Sequence, residues 1–204
     1  MKRIIIVTLS VVMSMWQSAY AQTDSELLQQ KLSKFTSIQA NFAQQVINPE
    51  GEVIQNSWGQ LTIARPGNFH WEVTKPDEEL IVSNGQNMWL YSPFIEQVTI
   101  MKFSDAIAGT PFALLSGANA EEWANFDVKK IGEQFIVENN KQEVKGNEFI
   151  FTFDSTDNVT EFIVEEAQGQ KSIFKLSDTK QGPKLTKGFF EFKVPQGVEI
   201  DDQR

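Results

Sequence analysis

The chain has 204 residues, one histidine, no cysteine and a formal charge of −9. Without cysteine there is no disulfide framework, no thiolate metal site, no cysteine nucleophile and no lipidated cysteine. One histidine leaves no two-histidine metal motif, and net acidity without a long Lys/Arg run argues against nucleic acid as a partner.

Lys2 and Arg3 form a short positive segment, followed by an apolar stretch from Ile4 to Met15 and by Ala19-Tyr20-Ala21, a small-x-small cleavage pattern. The apolar run falls short of the roughly 20 residues of a membrane span. Residues 1–21 therefore read as a cleaved signal peptide, and residues 22–204 as a single domain.

Thr23-Asp24-Ser25-Glu26 has the form of a helix capping box, and Leu28, Leu32 and Phe35 recur behind it at i, i+4, i+7. One amphipathic helix of about three turns is predicted there. The period then changes to two. Leu61, Ile63 and Arg65 alternate with polar or small residues, as do Phe69, Trp71 and Val73. Phe149, Phe151 and Phe153 share one strand face, and so do Phe190, Phe192 and Val194 near the end. Turn signals such as Arg65-Pro66-Gly67-Asn68, Asn84-Gly85 and Lys145-Gly146-Asn147 separate these runs. The pattern predicts a long antiparallel meander, interrupted from Ser104 to Asn125 by short helices and a loop. A twisted sheet of about ten strands with aromatic inner faces curls around its apolar side. The predicted fold is mainly β: an unclosed antiparallel β-barrel, or half-barrel, covered by a lid of short α-helices.

Enzymatic chemistry finds little support. His70 falls opposite Phe69 and Trp71 and reads as an outward-facing strand residue. Carboxylate neighbours such as Glu78-Glu79 and Glu121-Glu122 point to opposite faces when they lie on strands. No nucleophile elbow, phosphate loop or dinucleotide fingerprint is present. No catalytic residue, metal or cofactor is expected. Arg65 does break the local pattern, because alternation assigns it to the apolar face of its strand. Either the strand ends at Pro66 and Arg65 has turned into solvent, or its guanidinium hydrogen-bonds backbone carbonyls of the lid. The Trp89-to-Ile95 cluster reads either as a buried hairpin or as an apolar lip on a ligand cavity.

Arg65-Pro66-Gly67-Asn68-Phe69-His70-Trp71, Pro76-Asp77-Glu78, Val82-Ser83-Asn84-Gly85 and the run from Trp89 to Gln97 resemble, in order, the outer-membrane lipoprotein carrier family, LolA. Thr110-Pro111-Phe112, Pro195-Gln196-Gly197-Val198 and Asp201-Asp202-Gln203-Arg204 extend the resemblance to the last residue. It implies a periplasmic monomer that accepts the acyl chains of lipoproteins from the inner-membrane ABC transporter LolCDE and passes them to the outer-membrane receptor LolB. It also implies that Arg65 latches the lid. Leu28, Leu32, Leu61, Ile63, Phe69, Trp71, Trp89, Tyr91, Phe94, Ile95, Phe112, Leu114 and Leu115 are then expected to line the cavity or lid. Two other classes fit the residues alone: a periplasmic binding protein for another lipid or hydrophobic small molecule, and a partner-binding scaffold.

Overall fold

A computed structural model describes residues 22–108, 110–117, 119–141 and 146–204, excepting the side chains of Pro111 and Phe112. The expected signal peptide lies outside the described residues. Helix α1 (Asp24–Ser33) begins at the capping box: Thr23 Oγ1 accepts from the Glu26 N–H at 3.2 Å, and Glu26 Oε2 accepts from the Thr23 N–H at 2.8 Å. This reciprocal pair satisfies two donors that a helix start leaves open.

Six strands follow: β1 (Ser37–Ile47), β2 (Val53–Ala64), β3 (Asn68–Lys75), β4 (Glu79–Asn84), β5 (Asn87–Ser92) and β6 (Gln97–Lys102). Three short helices come next, α2 (Phe103–Ile107), α3 (Pro111–Ser116) and α4 (Ala120–Trp123). Strands β7 (Phe126–Ile131), β8 (Gln134–Asn139), β9 (Glu148–Phe153), β10 (Val159–Glu165), β11 (Lys171–Gln181) and β12 (Glu199–Asp202) complete the sheet.

The order across that sheet is β12-β6-β5-β4-β3-β2-β1-β11-β10-β9-β8-β7. It is one open sheet, its end strands β12 and β7 remaining unpaired with each other. The first meander runs outward from β1 to β6. The second starts at the opposite edge with β7 and returns until β11 lies beside β1. The connection between β6 and β7 must therefore cross a face of the sheet, and it is the segment that carries α2, α3 and α4. Leu114 and Leu115 of α3 are buried in one core with Leu61, Ile63, Phe69 and Trp71. The crossing thus lies over the concave face, and topology makes the helical insertion a cover.

The concavity is filled on one side. Leu28 and Leu32 of α1 are 0% and 1% exposed, packed in the same core as Phe135, Val137, Phe149 and Phe151. Both ends of α1 are tied to the sheet. Asp24 Oδ2 accepts from the Lys130 N–H of β7 at 2.8 Å, and Lys31 and Lys34 both pair with Asp157 in the β9–β10 turn. Hydrogen bonding from Lys31, then Lys34, holds the Asp157 carboxyl below its usual range.

Two regions differ from the sequence expectation. Phe190, Phe192 and Val194 form no strand, and residues 183–198 run as irregular chain. The segment packs instead across the convex face, its Phe189 and Phe192 rings lying against His70, Trp89 and Tyr91. Moreover, β12 pairs parallel to β6 within an otherwise antiparallel sheet, in register from Glu199 opposite Gln97 to Asp202 opposite Ile100.

A lidded apolar cavity beside Arg65

Under α2 and α3 the concave face encloses a cavity of about 550 Å³. That volume lies within the roughly 300–1,000 Å³ of small-ligand sites. Its floor is an aromatic row crossing several strands. The Phe42 and Trp71 rings stack at 4.0 Å, Phe69 lies 6.1 Å from Trp71, and Phe174 meets Trp71 edge-on at 5.3 Å. Gly59 makes this stacking possible. It stands opposite Phe42 in the β1–β2 register, and a Cβ there would lie 2.5 Å from Phe42 Cζ and 1.9 Å from the Glu72 carbonyl oxygen. Met88, Ile81 and Val73 continue the apolar wall, while Phe103, Ile107 and Leu115 form the roof.

Arg65 sits at the joint between floor and roof, just after β2. Its Nε donates to the Leu115 carbonyl at 3.0 Å and its Nη2 to the Leu114 carbonyl at 3.4 Å. The Gly67 N–H donates to the next carbonyl, Ser116 O, at 3.1 Å. The β2–β3 turn therefore satisfies three of the carbonyls that the C-terminus of α3 leaves open, and the cation lies at the negative end of the helix. Gly117 closes α3 in the left-handed region at φ 102°, with the Arg65 side chain in van der Waals reach of where a Cβ would stand, at 3.4 Å. The guanidinium carbon lies 4.5 Å from the centre of the Phe35 ring. Burial lowers the pKa of Arg65, since desolvation disfavours the cation.

Of the residues expected at the cavity or lid, Ile63, Phe69, Trp71 and Leu115 line it. Leu61 and Leu114 are buried in the surrounding core, and Leu28 and Leu32 pack into the filled side. The side chain of Phe112 lies outside the described residues. Trp89 and Tyr91 stand on the other face of the sheet. Cross-strand pairing places Trp89 beside Val82 and Ile100, in step with His70, whereas Met88 pairs with Ser83 on the cavity side. The Phe192 ring covers both, 6.5 Å from Trp89 and 5.4 Å from Tyr91. Phe94 and Ile95 lie in the 3-10 turn Pro93–Ile95, 84% and 59% exposed, and do not line the cavity. The sequence reading missed Met88, Ile81, Phe103, Ile107 and Phe174. The i, i+4 pair Phe103 and Ile107 was a usable helical signal for the roof.

His70 lies on the convex side, as alternation predicts, but it is covered there. The Phe189 ring is 4.8 Å from the imidazole. Desolvation lowers its pKa, partly offset by the neighbouring Glu72 carboxylate. At the cavity mouth burial raises the pKa of Glu79.

Comparison with known proteins places this geometry. Residues 33–193 match the family described as "Outer membrane lipoprotein carrier protein LolA". The outer-membrane lipoprotein carrier protein of Psychromonas ingrahamii is 54% identical over 205 residues, covering all of both chains. That of Aeromonas salmonicida is 42% identical, covering 87% of this chain and 88% of its own. Among solved structures, an uncharacterized conserved protein from Thermus thermophilus has the same fold at 12% identity, with a TM-score of 0.54, covering 89% of this chain and all of that one. By the family match and by these relatives, the chain belongs to the LolA family.

Proposed function

We propose that the chain is a periplasmic carrier of lipoproteins. It accepts their acyl chains from the inner-membrane transporter LolCDE and delivers them to the outer-membrane receptor LolB, acting as a monomer and making or breaking no bond. Residues 1–21 are then the signal peptide that directs export, and residues 22–204 the carrier domain. The names of the close relatives support the cargo class. The observation that carries the reading is the apolar cavity roofed by a helix whose C-terminal carbonyls are held by Arg65.

The physical chemistry suits a shuttle. Exposing an acyl chain to water costs about 0.8 kcal/mol per methylene, so a chain of about sixteen carbons is worth on the order of 12 kcal/mol. Such an anchor cannot cross an aqueous compartment unshielded. The carrier must also release it without ATP. When cargo lifts the lid, the hydrogen bonds of Arg65 and the roof contacts of Leu115 and Ile107 are lost. That loss lowers net affinity, and a receptor with a better cavity takes the cargo.

Release from membranes tests the proposal. Purified residues 22–204 are incubated with inner-membrane vesicles that contain active transporter and newly made lipoprotein. The expected result is soluble lipoprotein in a one-to-one complex with this chain. No release, with the same vesicles active toward an established carrier, contradicts it.

A further inference from the structure

The cavity wall is polar at one end. Gln44 of β1 and Ser57 of β2 are direct cross-strand partners on the concave face, and Phe174 flanks Gln44 on the other side. Ser57 is 1% exposed. Its oxygen accepts from Gln55 Nε2 at 3.1 Å, and among the described residues its own proton has no acceptor. The side-chain amide of Gln44 has no hydrogen-bond partner among the described residues.

The hydroxyls of the roof behave differently. Thr110 Oγ1 donates to Ile107 O at 2.8 Å, and Ser116 Oγ donates to Ala113 O at 3.0 Å. Polar groups on the lid are thus satisfied by the lid itself, while those on the floor leave donors facing the ligand space. A donor left unmade in an apolar wall is costly unless a ligand or water takes it up.

We propose that Gln44 and Ser57 form a carbonyl-binding site at the head of the acyl cavity. The site takes the ester or amide carbonyl oxygens through which acyl chains are joined to their head group. This rests on the acyl-carrier reading and sets the direction in which cargo lies. Ser57 and Ile63 share the concave face of β2, about 20 Å apart at roughly 3.4 Å per residue. The hydrocarbon then runs from Ser57 toward Ile63 and Leu115 beneath the lid. The head group stays beside Pro76, Asp77 and Glu79, which line the same end of the cavity as Gln55.

Two probes of equal chain length separate the possibilities: a hexadecanoyl glycerol ester and the corresponding hexadecyl glycerol ether, which lacks the carbonyl. Affinities are measured by titration calorimetry for the wild type, Gln44→Leu and Ser57→Ala. The wild type is expected to bind the ester about three- to tenfold more tightly than the ether, as one or two neutral hydrogen bonds allow. Each substitution is expected to reduce the ratio of ester to ether affinity in a variant that still binds the ether, a readout that misfolding would not produce. Equal binding of the two probes by the wild type overturns the carbonyl site alone, as does a preference that survives both substitutions. A wild type that binds neither probe overturns the acyl-carrier reading and the site with it.

Discussion

Arg65 and Leu115 are fifty residues apart in the chain, yet Arg65 Nε and the Leu115 carbonyl oxygen meet at 3.0 Å. Together with the longer bond to Leu114, this contact ties the roof helix to the end of β2. It is a fastening between a side chain and backbone carbonyls, so opening it leaves groups that water can satisfy at once.

Arg65→Leu removes both bonds and leaves only the Gly67-to-Ser116 bond at that joint. A hydrogen bond that involves a charged group contributes about 1.5–3 kcal/mol net of its exchange with water. The variant is expected to open its lid more readily, seen as faster amide exchange in α3. Because the closed state no longer competes as strongly with cargo, the variant should accept lipoprotein but deliver it to the receptor less well than wild type. Delivery at the wild-type level contradicts the latch.

Trp71 and Trp89 stand on opposite faces of the sheet. Trp71→Ala removes the centre of the cavity floor and is expected to destabilise the protein by about 3–5 kcal/mol and to weaken acyl binding. Trp89→Ala removes a ring from the convex side, so it should leave acyl binding intact while loosening the segment around Phe192. Denaturant unfolding and acyl-probe titration of both variants check this assignment of faces.

The same pair shows where the sequence was legible. Phe69 and Trp71 alternate with polar partners, so their face could be read by period two. In β5 every residue from Asn87 to Ser92 is partly buried, because the sheet is covered on both sides there. Alternation then carries no sign. Which of Met88 or Trp89 faces the cavity follows from the register with Ser83 and Val82, a long-range fact. Arg65 was ambiguous for a related reason: its partners lie in a helix fifty residues away, and no local pattern names them. Conversely, the Thr23 capping box is a purely local device and was fully readable. The strand expected around Phe192 did not form: its apolar residues pack across the convex face onto Trp89 and Tyr91, a long-range contact that local pattern does not encode. For Gln44 and Ser57 no local pattern signals a site; only the strand pairing sets them side by side on the concave face.

Gly59 supports the floor through absence of a side chain. Gly59→Ala places a Cβ against the Glu72 carbonyl and the Phe42 ring, where backbone cannot yield cheaply. Overpacking of this kind costs about 1–3 kcal/mol, occasionally more. A fall in the urea midpoint is the expected outcome. An unchanged midpoint contradicts the close approach of these strands.

His70 is the one imidazole of the chain, so its titration can be followed as a single magnetic resonance signal. Its folded pKa is lowered by desolvation. The unfolded chain therefore takes up the proton first as pH falls below about 6.5. Stability is expected to be full above that value and to decline as pH falls toward the folded pKa. Glu79 acts in the opposite sense, because its raised pKa lets the folded chain take up that proton first as pH drops. In untagged protein His70→Gln should therefore flatten the loss of stability between about pH 5 and 7. A variant that keeps the wild-type slope contradicts the role of His70.

The account's central claim is that hydrocarbon occupies the space between the aromatic floor and the Arg65-held roof. Photocrosslinking with a diazirine-bearing fatty acyl chain, followed by mass-spectrometric mapping, tests it most directly. Labels on Trp71, Ile81, Met88, Ile107 or Leu115, saturating with cavity occupancy and blocked by unlabelled lipid, are the predicted result. Labels confined to the convex face around Trp89, Tyr91 and Phe192 would contradict it.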